Sequence, residues 1–237
     1  MTDPTAPGPL AAVAALMADP ARARMLAALM GGEALTAGEL ARVAGVTAAT
    51  TSGHLARLAE GGLVVVHAQG RHRYHRLASE HVAAAIETLG GLAARIAPVR
   101  HWKHGEEARA ARLCWNHLAG RLGVALHERL TGEGLLRPVS GGWDAAPEGR
   151  ARLVATGVDL DRADAAPRFA CDCMDWSERR PHLAGGLGRE IAAAWIGRGW
   201  LRRLPATEDG DILARRRVGL TPAGRRGLKD AFGLEAA

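Results

Sequence analysis

The chain has 237 residues, 48% of them hydrophobic but only 4% aromatic, and a formal charge of +6. That length gives one large domain or two ordinary ones, and its Ala- and Leu-rich make-up favours helices over a β-rich fold. Three cysteines are too few for a disulfide scaffold, and no run reaches the ~20 apolar residues of a membrane-spanning helix, so secreted-scaffold and membrane classes are set aside. The positive charge suits a polyanionic partner. A soluble, cytoplasmic protein is the expectation, because the Pro-rich start MTDPTAPGPL lacks the basic and apolar regions of a signal peptide.

In chain order, residues 1–9 read as a flexible arm. LAAVAALMA over residues 10–18 predicts a short helix too apolar to stand alone. Asp19 then caps a helix with Pro20 at its first position, running through Met25, Leu26 and Leu29 to a Gly31-Gly32 stop. In the next helix Leu40, Val43 and Ala44 share one face. After a Gly-Val-Thr turn, Thr51, Leu55 and Leu58 do so in a second helix that Thr47 caps. Leu63–His67 and Arg73–Leu77 read as strands around the basic tip Gln69-Gly70-Arg71-His72. Helix, turn, helix and basic hairpin make a winged helix-turn-helix, which places its second helix in the DNA major groove. That helix turns Ala48, Ala49, Ser52 and Gly53 outward, with Thr47, Thr50, His54 and Arg57 near the edge. Small side chains make few bidentate base contacts, so base readout should be modest. Arg57, Arg71 and Arg73 should hold phosphates and make the affinity salt-dependent. Ser79 opens a further helix through Val82, Ile86 and Leu89.

Asp19-Pro20-Ala21-Arg22, the LTAGELA segment, the Ser52-Gly53-His54-Leu55 helix end and the GRHRYHRL wing together resemble the ArsR/SmtB-type transcriptional regulators. The resemblance covers residues 10–90. It implies a homodimeric, usually repressing protein whose DNA affinity follows a metal ion, thiol oxidation or another small signal, with the first and last helices of the module at the dimer surface. The cysteine site that some members carry in the LTAGELA helix is missing, since Thr36 and Gly38 stand there. His81 with Glu80 and Glu87 is only a fragment of the zinc site others carry on the last helix.

The winged helix is assigned to residues 10–95, a linker or connecting helix to 96–112 and a second domain to 113–237. All six tryptophans lie beyond residue 101. The second domain contains a repeat: HLAGRLGVALHERLTGEGLLR from His117 and HLAGGLGREIAAAWIGRGWLR from His182 agree at ten of 21 positions. Each is followed by a turn-rich stretch and a similar cap, PEGRARL or PAGRRGL. The expected fold is therefore mainly α with small β-hairpin wings, the C-terminal part being two winged-helix-like repeats that pack on each other.

Metal-capable residues concentrate in that part. Cys114 and His117 are three apart, on one face if helical; Cys171 and Cys173 alternate in an extended stretch, and His182 lies nine residues further on. Two thiols and two imidazoles could enclose zinc or another thiophilic metal, or the thiols could form a redox switch, although no cofactor is certain from spacing that is not CxxC. A structural role is the plainer reading, since cysteine is among the most buried residue types. His101 and His104 read as a solvated linker face. Trp115, Trp176, Trp195 and Trp200 could line an organic-ligand pocket but more simply supply core bulk, and DWSERR from Asp175 reads as a helix start. The leading function is a DNA-binding regulator, probable repressor by its resemblance. The alternatives are an interaction scaffold that has lost DNA binding, or an enzyme within residues 100–237. For the last, no phosphate loop, nucleophile elbow or HExxH motif is present.

Overall fold

The computed structural model describes residues 8–70, 72–96, 105–205 and 214–235. Helix α1 (Pro9–Ala18) buries none of its residues. It is held at its C-terminal end by Arg22, whose guanidinium donates to the carbonyls of Leu16 (2.6 Å) and Ala15 (2.8 Å). Helix α2 (Pro20–Leu29) starts at Asp19, whose carboxylate accepts the Arg22 N–H. Strand β1 (Leu35–Thr36) leads into α3 (Ala37–Ala44), closed by a reciprocal box in which Thr36 accepts from the Glu39 N–H and Glu39 accepts from that of Thr36. Such a cap contributes about 1 kcal/mol. Gly45, at φ 69°, ends α3 in the left-handed conformation that glycine adopts without a Cβ penalty. Thr47 caps α4 (Ala48–Glu60) as expected, and Thr51, Leu55 and Leu58 are its buried residues.

The wing is longer than its sequence suggested. Strands β2 (Val64–Gln69) and β3 (His72–Leu77) pair through Gln69↔His72, and β1 adds to the other edge of β3. Only residues 70 and 71 remain for the turn, because Gly70, at φ 58°, allows a tight reversal. Arg71 lies outside the described residues. Helix α5 (Glu80–Ile96) follows, its second N–H turn capped by Ser79. Residues 1–7 of the expected arm and 97–104 of the expected linker, with His101 and His104, also lie outside the described residues. The remainder of that linker stretch is folded: α6 (Gly105–Ala110) buries Ala108, and Arg112 is fully buried.

The C-terminal part runs through one sequence of elements twice. The first unit is β4 (Arg112–Cys114), β5 (His117–Ala119), α7 (Gly120–Gly132), β6 (Leu136–Val139), β7 (Gly142–Ala145) and α8 (Pro147–Ala155). After α9 (Leu160–Asp164) come β8 (Cys171–Met174), β9 (Pro181–Ala184), α10 (Gly185–Gly197), β10 (Leu201–Arg203), β11 (Val218–Leu220) and α11 (Pro222–Phe232). Each strand pair is an antiparallel hairpin. The sequence reading began each unit at its long helix and passed over the hairpin in front of it.

One apolar core joins both units. Leu113, Leu122, Leu126, Leu187, Ile191, Trp195, Leu228 and Phe232 belong to it. Trp195 is fully buried against Trp200 and Phe232, ring centroids 5.9 and 6.0 Å away, and Trp176 lies under the Arg112 guanidinium. These three tryptophans serve packing and stacking, whereas Trp115 packs partly buried against the core of the winged helix and lines a cleft there. The core of the winged helix is separate, but it takes in Cys114 and Ala119 from the first unit's opening hairpin. That hairpin is thus the seam between the two parts of the chain. Arg203 reinforces it, donating to the Gly31 carbonyl at 3.0 Å.

Candidate functional site

The DNA-reading positions form an exposed surface. Thr47, Ala48, Ala49, Thr50, Ser52, Gly53 and Arg57 are exposed on and before α4, and Arg73 is exposed on β3. Ser52 donates to the Ala48 carbonyl at 3.0 Å, a back-bond it can exchange for a base edge, since its oxygen still accepts. His54 is placed differently from the expectation. It is half-buried, with its Nδ1 3.4 Å from Arg22 and its Nε2 3.9 Å from Asp19, so it ties α4 to α2. Arg76 is an exposed wing cation that the sequence reading passed over; alternation puts it with His72 and Tyr74 on the face opposite buried His75 and Leu77. That alternation was visible in the sequence.

The second cluster lies at the seam. Cys114, His117, Cys173 and His182 each bring a ligand-capable atom to within 4.8 Å of the others, and the two thiol sulfurs are 4.0 Å apart. The route differs from the helical face expected for Cys114 and His117. Those two are a cross-strand pair of β4 and β5, joined by a two-residue turn with Trp115 at φ 58°. Cys173 and His182 occupy the same cross-strand register in β8 and β9. Residues 176–180 form the longer turn there, so DWSERR does not start a helix. Its Asp175 instead accepts from the Ser177 and Glu178 N–H groups through Oδ1. Cys171 is outside the four-residue group but lines an adjoining cleft of ≈ 140 Å³, together with His81, Arg168 and three of the cluster's residues, Cys114, His117 and Cys173.

Around the cluster runs a buried ionic network. Asp175 accepts from Arg112 (2.8 Å) and from the Gly120 N–H (2.7 Å), and its Oδ2 stands 3.4 Å from His182 Nδ1. Arg216 donates to Glu87 at 2.9 and 3.2 Å and to the carbonyl of Leu113, the residue before Cys114. Glu87 is therefore committed to this network, 3.9 Å from Arg112 as well, and does not pair with His81 and Glu80 in the partial site expected on α5.

Burial pushes the Cys114 thiol well up. The Cys173 thiol is held down to about 6 by the Cys114 hydrogen bond, against the penalty of burial and with help from His182. Burial drives His117 well below its ordinary value. For His182 burial acts the same way, but Asp175 and Cys173 outweigh it and raise the pKa. Asp175 and Glu87 both stay ionised: burial opposes this, while His182 and Arg112 for the first, and Arg216 and Arg112 for the second, more than compensate. One electron-rich pair of sulfurs beside two imidazoles is a soft donor set, suited to zinc and other thiophilic ions.

A family model described as a helix-turn-helix domain matches residues 17–67. The chain is 36% identical over 201 residues to the uncharacterized HTH-type transcriptional regulator YdfF of Bacillus subtilis, a match covering 84% of this chain and 89% of that one. It is 40% identical over 80 residues to the HTH-type transcriptional regulator CmtR of Mycobacterium tuberculosis, covering 34% of this chain and 67% of that one. Among solved structures, HlyU from Vibrio cholerae aligns at 30% identity and a TM-score of 0.33 over 35% of this chain and 90% of that one. The YdfF match is too long to fit within either part alone, so the likeness runs through the winged helix and into the repeats. The chain belongs to the ArsR/SmtB-type winged helix-turn-helix transcriptional regulators, and its function is DNA-binding control of transcription.

Proposed function

We propose that the chain binds operator DNA as a homodimer and represses transcription, with its C-terminal part receiving the signal. The observation that carries this reading is the exposed N-terminal half of α4 beside a wing that presents Arg73 and Arg76. Thr47, Ala48, Ala49, Thr50, Ser52 and Gly53 approach the bases, while Arg57, Arg71 and Arg73 hold phosphates. Homodimerisation rests on two apolar helices that the described residues leave partly uncovered: Leu10 on α1 is 83% exposed, and Leu89 and Leu92 on α5 are 50% and 52% exposed. The C-terminal part acts as sensor and not as enzyme. Its chemistry is concentrated in Cys114, His117, Cys173 and His182, with Cys171 beside them, where zinc or another thiophilic metal, or oxidation of the thiols, would act. Three reduced cysteines and a DNA target fit the cytoplasm. No helix among the described residues is long and apolar enough to cross a membrane.

Fluorescence anisotropy against the chain's own promoter DNA, across a salt series, tests this reading. A steep fall of log K with log salt is expected, and Arg57→Ala or Arg73→Ala should each reduce the slope by about 1. Ser52→Ala should shift preference among operator variants, whereas His54→Ala should leave preference unchanged and lower stability. Absence of salt-dependent affinity would favour the scaffold alternative.

A further inference from the structure

The tandem repeat has a chemical consequence. Each unit's opening hairpin sets a cysteine of its first strand directly opposite a histidine of its second, Cys114 with His117 and Cys173 with His182, and the long helix of each unit packs on the other's histidine. A Cβ on Gly123 of α7 would lie 3.4 Å from the His182 Cβ, and one on the equivalent Gly188 of α10 would lie 3.1 Å from the His117 Cβ. The two hairpins therefore face each other across a pseudo-twofold relation, with both Cys–His pairs at its centre.

We propose that Cys114, His117, Cys173 and His182 form a pseudo-symmetric four-coordinate site for a thiophilic divalent cation of the zinc class, and that its loading changes DNA affinity through α5. The proposal rests on the reading of the C-terminal part as the sensor and names its ligand and its route of action.

Three observations support it independently of residue type. First, zinc bond lengths of about 2.0–2.3 Å imply ligand-to-ligand edges of roughly 3.3–3.8 Å in a tetrahedron. The sulfurs stand 4.0 Å apart and all four donors lie within 4.8 Å, so contraction by at most about 1.5 Å along any edge closes the set. Second, both ring nitrogens of His182 and Nδ1 of His117 are buried without a hydrogen-bond partner among the described residues. Buried polar atoms are almost always satisfied, and an ion satisfies one on each ring. Asp175 Oδ2 stands 3.4 Å from His182 Nδ1, close enough to support a ring that gives Nε2 to the ion, as carboxylates commonly do for metal-bound histidines. Third, the charges balance. Arg112 and Arg216 already neutralise Asp175 and Glu87, so a divalent ion with two thiolates adds no net charge to the seam. The cleft beside Cys171 and His81 is an entry path from solvent.

The route to DNA is short. Arg216 bonds the carbonyl next to Cys114 and the carboxylate of Glu87, and Arg112 links Asp175 to the same carboxylate. Glu87 belongs to α5, the helix that leads out of the wing. Drawing the two hairpins onto an ion repositions Leu113, Arg216 and α5 together.

The test uses the full chain, purified reduced and metal-free. Co²⁺ is titrated anaerobically as a spectroscopic probe, zinc stoichiometry is measured by elemental analysis, and DNA affinity is measured with and without Zn²⁺. One ion per chain is expected, with sulfur-to-cobalt charge-transfer absorption and the intense visible bands of a tetrahedral ion. Cys173→Ser, which alters a partly buried residue at a near-isosteric position, should weaken binding at least tenfold while circular dichroism stays unchanged. His182→Gln should do the same, and Cys171→Ser should bind as the wild type. Substoichiometric metal in the folded wild type, or undiminished binding by Cys173→Ser, overturns the site. Stoichiometric metal with unchanged DNA affinity overturns the regulatory role and leaves a structural ion. Loss of DNA binding with and without zinc strikes at the regulator reading and leaves the site standing.

Discussion

Gly188 lies directly against His117: a Cβ at residue 188 would come 3.1 Å from the His117 Cβ and 2.4 Å from the Leu183 carbonyl oxygen. Gly123 stands in the same relation to His182 and Leu118. In an exposed helix, glycine to alanine gains about 1 kcal/mol from helix propensity. Here the close contact is with backbone, which cannot turn aside as a flexible side chain would, so steric strain wins. Gly188→Ala and Gly123→Ala should each destabilise by about 1–3 kcal/mol in urea denaturation. Each should also weaken cobalt binding, because the histidine of the opposite unit is displaced.

Arg216 is buried and spans from Glu87 to Leu113. Removing one member of such a pair leaves an uncompensated charge in the interior, at a cost of about 3–5 kcal/mol. Arg216→Met should lose stability on that scale, moderated by Arg112, which still stands 3.9 Å from Glu87. The double substitution with Glu87→Leu should recover a large part of the loss. A double-mutant cycle from denaturant midpoints measures the coupling, and simple additivity of the two changes would contradict it.

These two relationships show which parts of the molecule were legible in the sequence. The caps at Asp19 and Thr47, the inward faces of α3 and α4 and the ten-position repeat depend on local spacing, and all were readable. The route by which Cys114 meets His117 was not. Three-residue spacing suits a helix face, but a two-residue turn makes the same residues cross-strand partners, and Cys173 reaches the equivalent register across eight intervening residues. Register depends on turn geometry, which spacing alone does not reveal. The network of Arg112, Asp175, Glu87 and Arg216 was missed altogether. Its members lie up to 129 residues apart, and a buried arginine looks like any other arginine in a basic chain.

His75 on β3 is buried, and its Nδ1 lies 3.3 Å from the Leu35 carbonyl of β1. Burial lowers its pKa from the ordinary 6.5, an effect that the Leu35 contact opposes and Arg73 reinforces. Above about pH 6.5 the ring is neutral in both folded and unfolded chains, and its full contribution to stability is present. As the pH falls, the unfolded chain takes up the proton first, so stability drains away until the folded-state pKa is passed. Denaturant unfolding at pH 7.5 and 5.5 should show a larger loss for the wild type than for His75→Gln, which cannot titrate. Equal losses in the two proteins would remove His75 from the pH response.

Leu89 and Leu92 on α5 are half exposed among the described residues. Fully burying a leucine side chain contributes about 1.5–3 kcal/mol, so covering the exposed half of these two positions on both sides of a twofold interface supplies on the order of 3–6 kcal/mol. Association costs roughly 4–15 kcal/mol in lost freedom, so α5 alone would give a marginal dimer. Leu10 and Val13 on α1 must therefore join the interface for it to be stable, which is consistent with their exposure on a helix that has no fully buried residue. Leu89→Glu with Leu92→Glu should yield a monomer by light scattering, and Leu10→Glu should raise the dimer dissociation constant. Both variants should keep the helix content of the wild type, because neither change touches the interior. Each should bind a single half-site normally and lose affinity for paired half-sites, since only a dimer reads both at once.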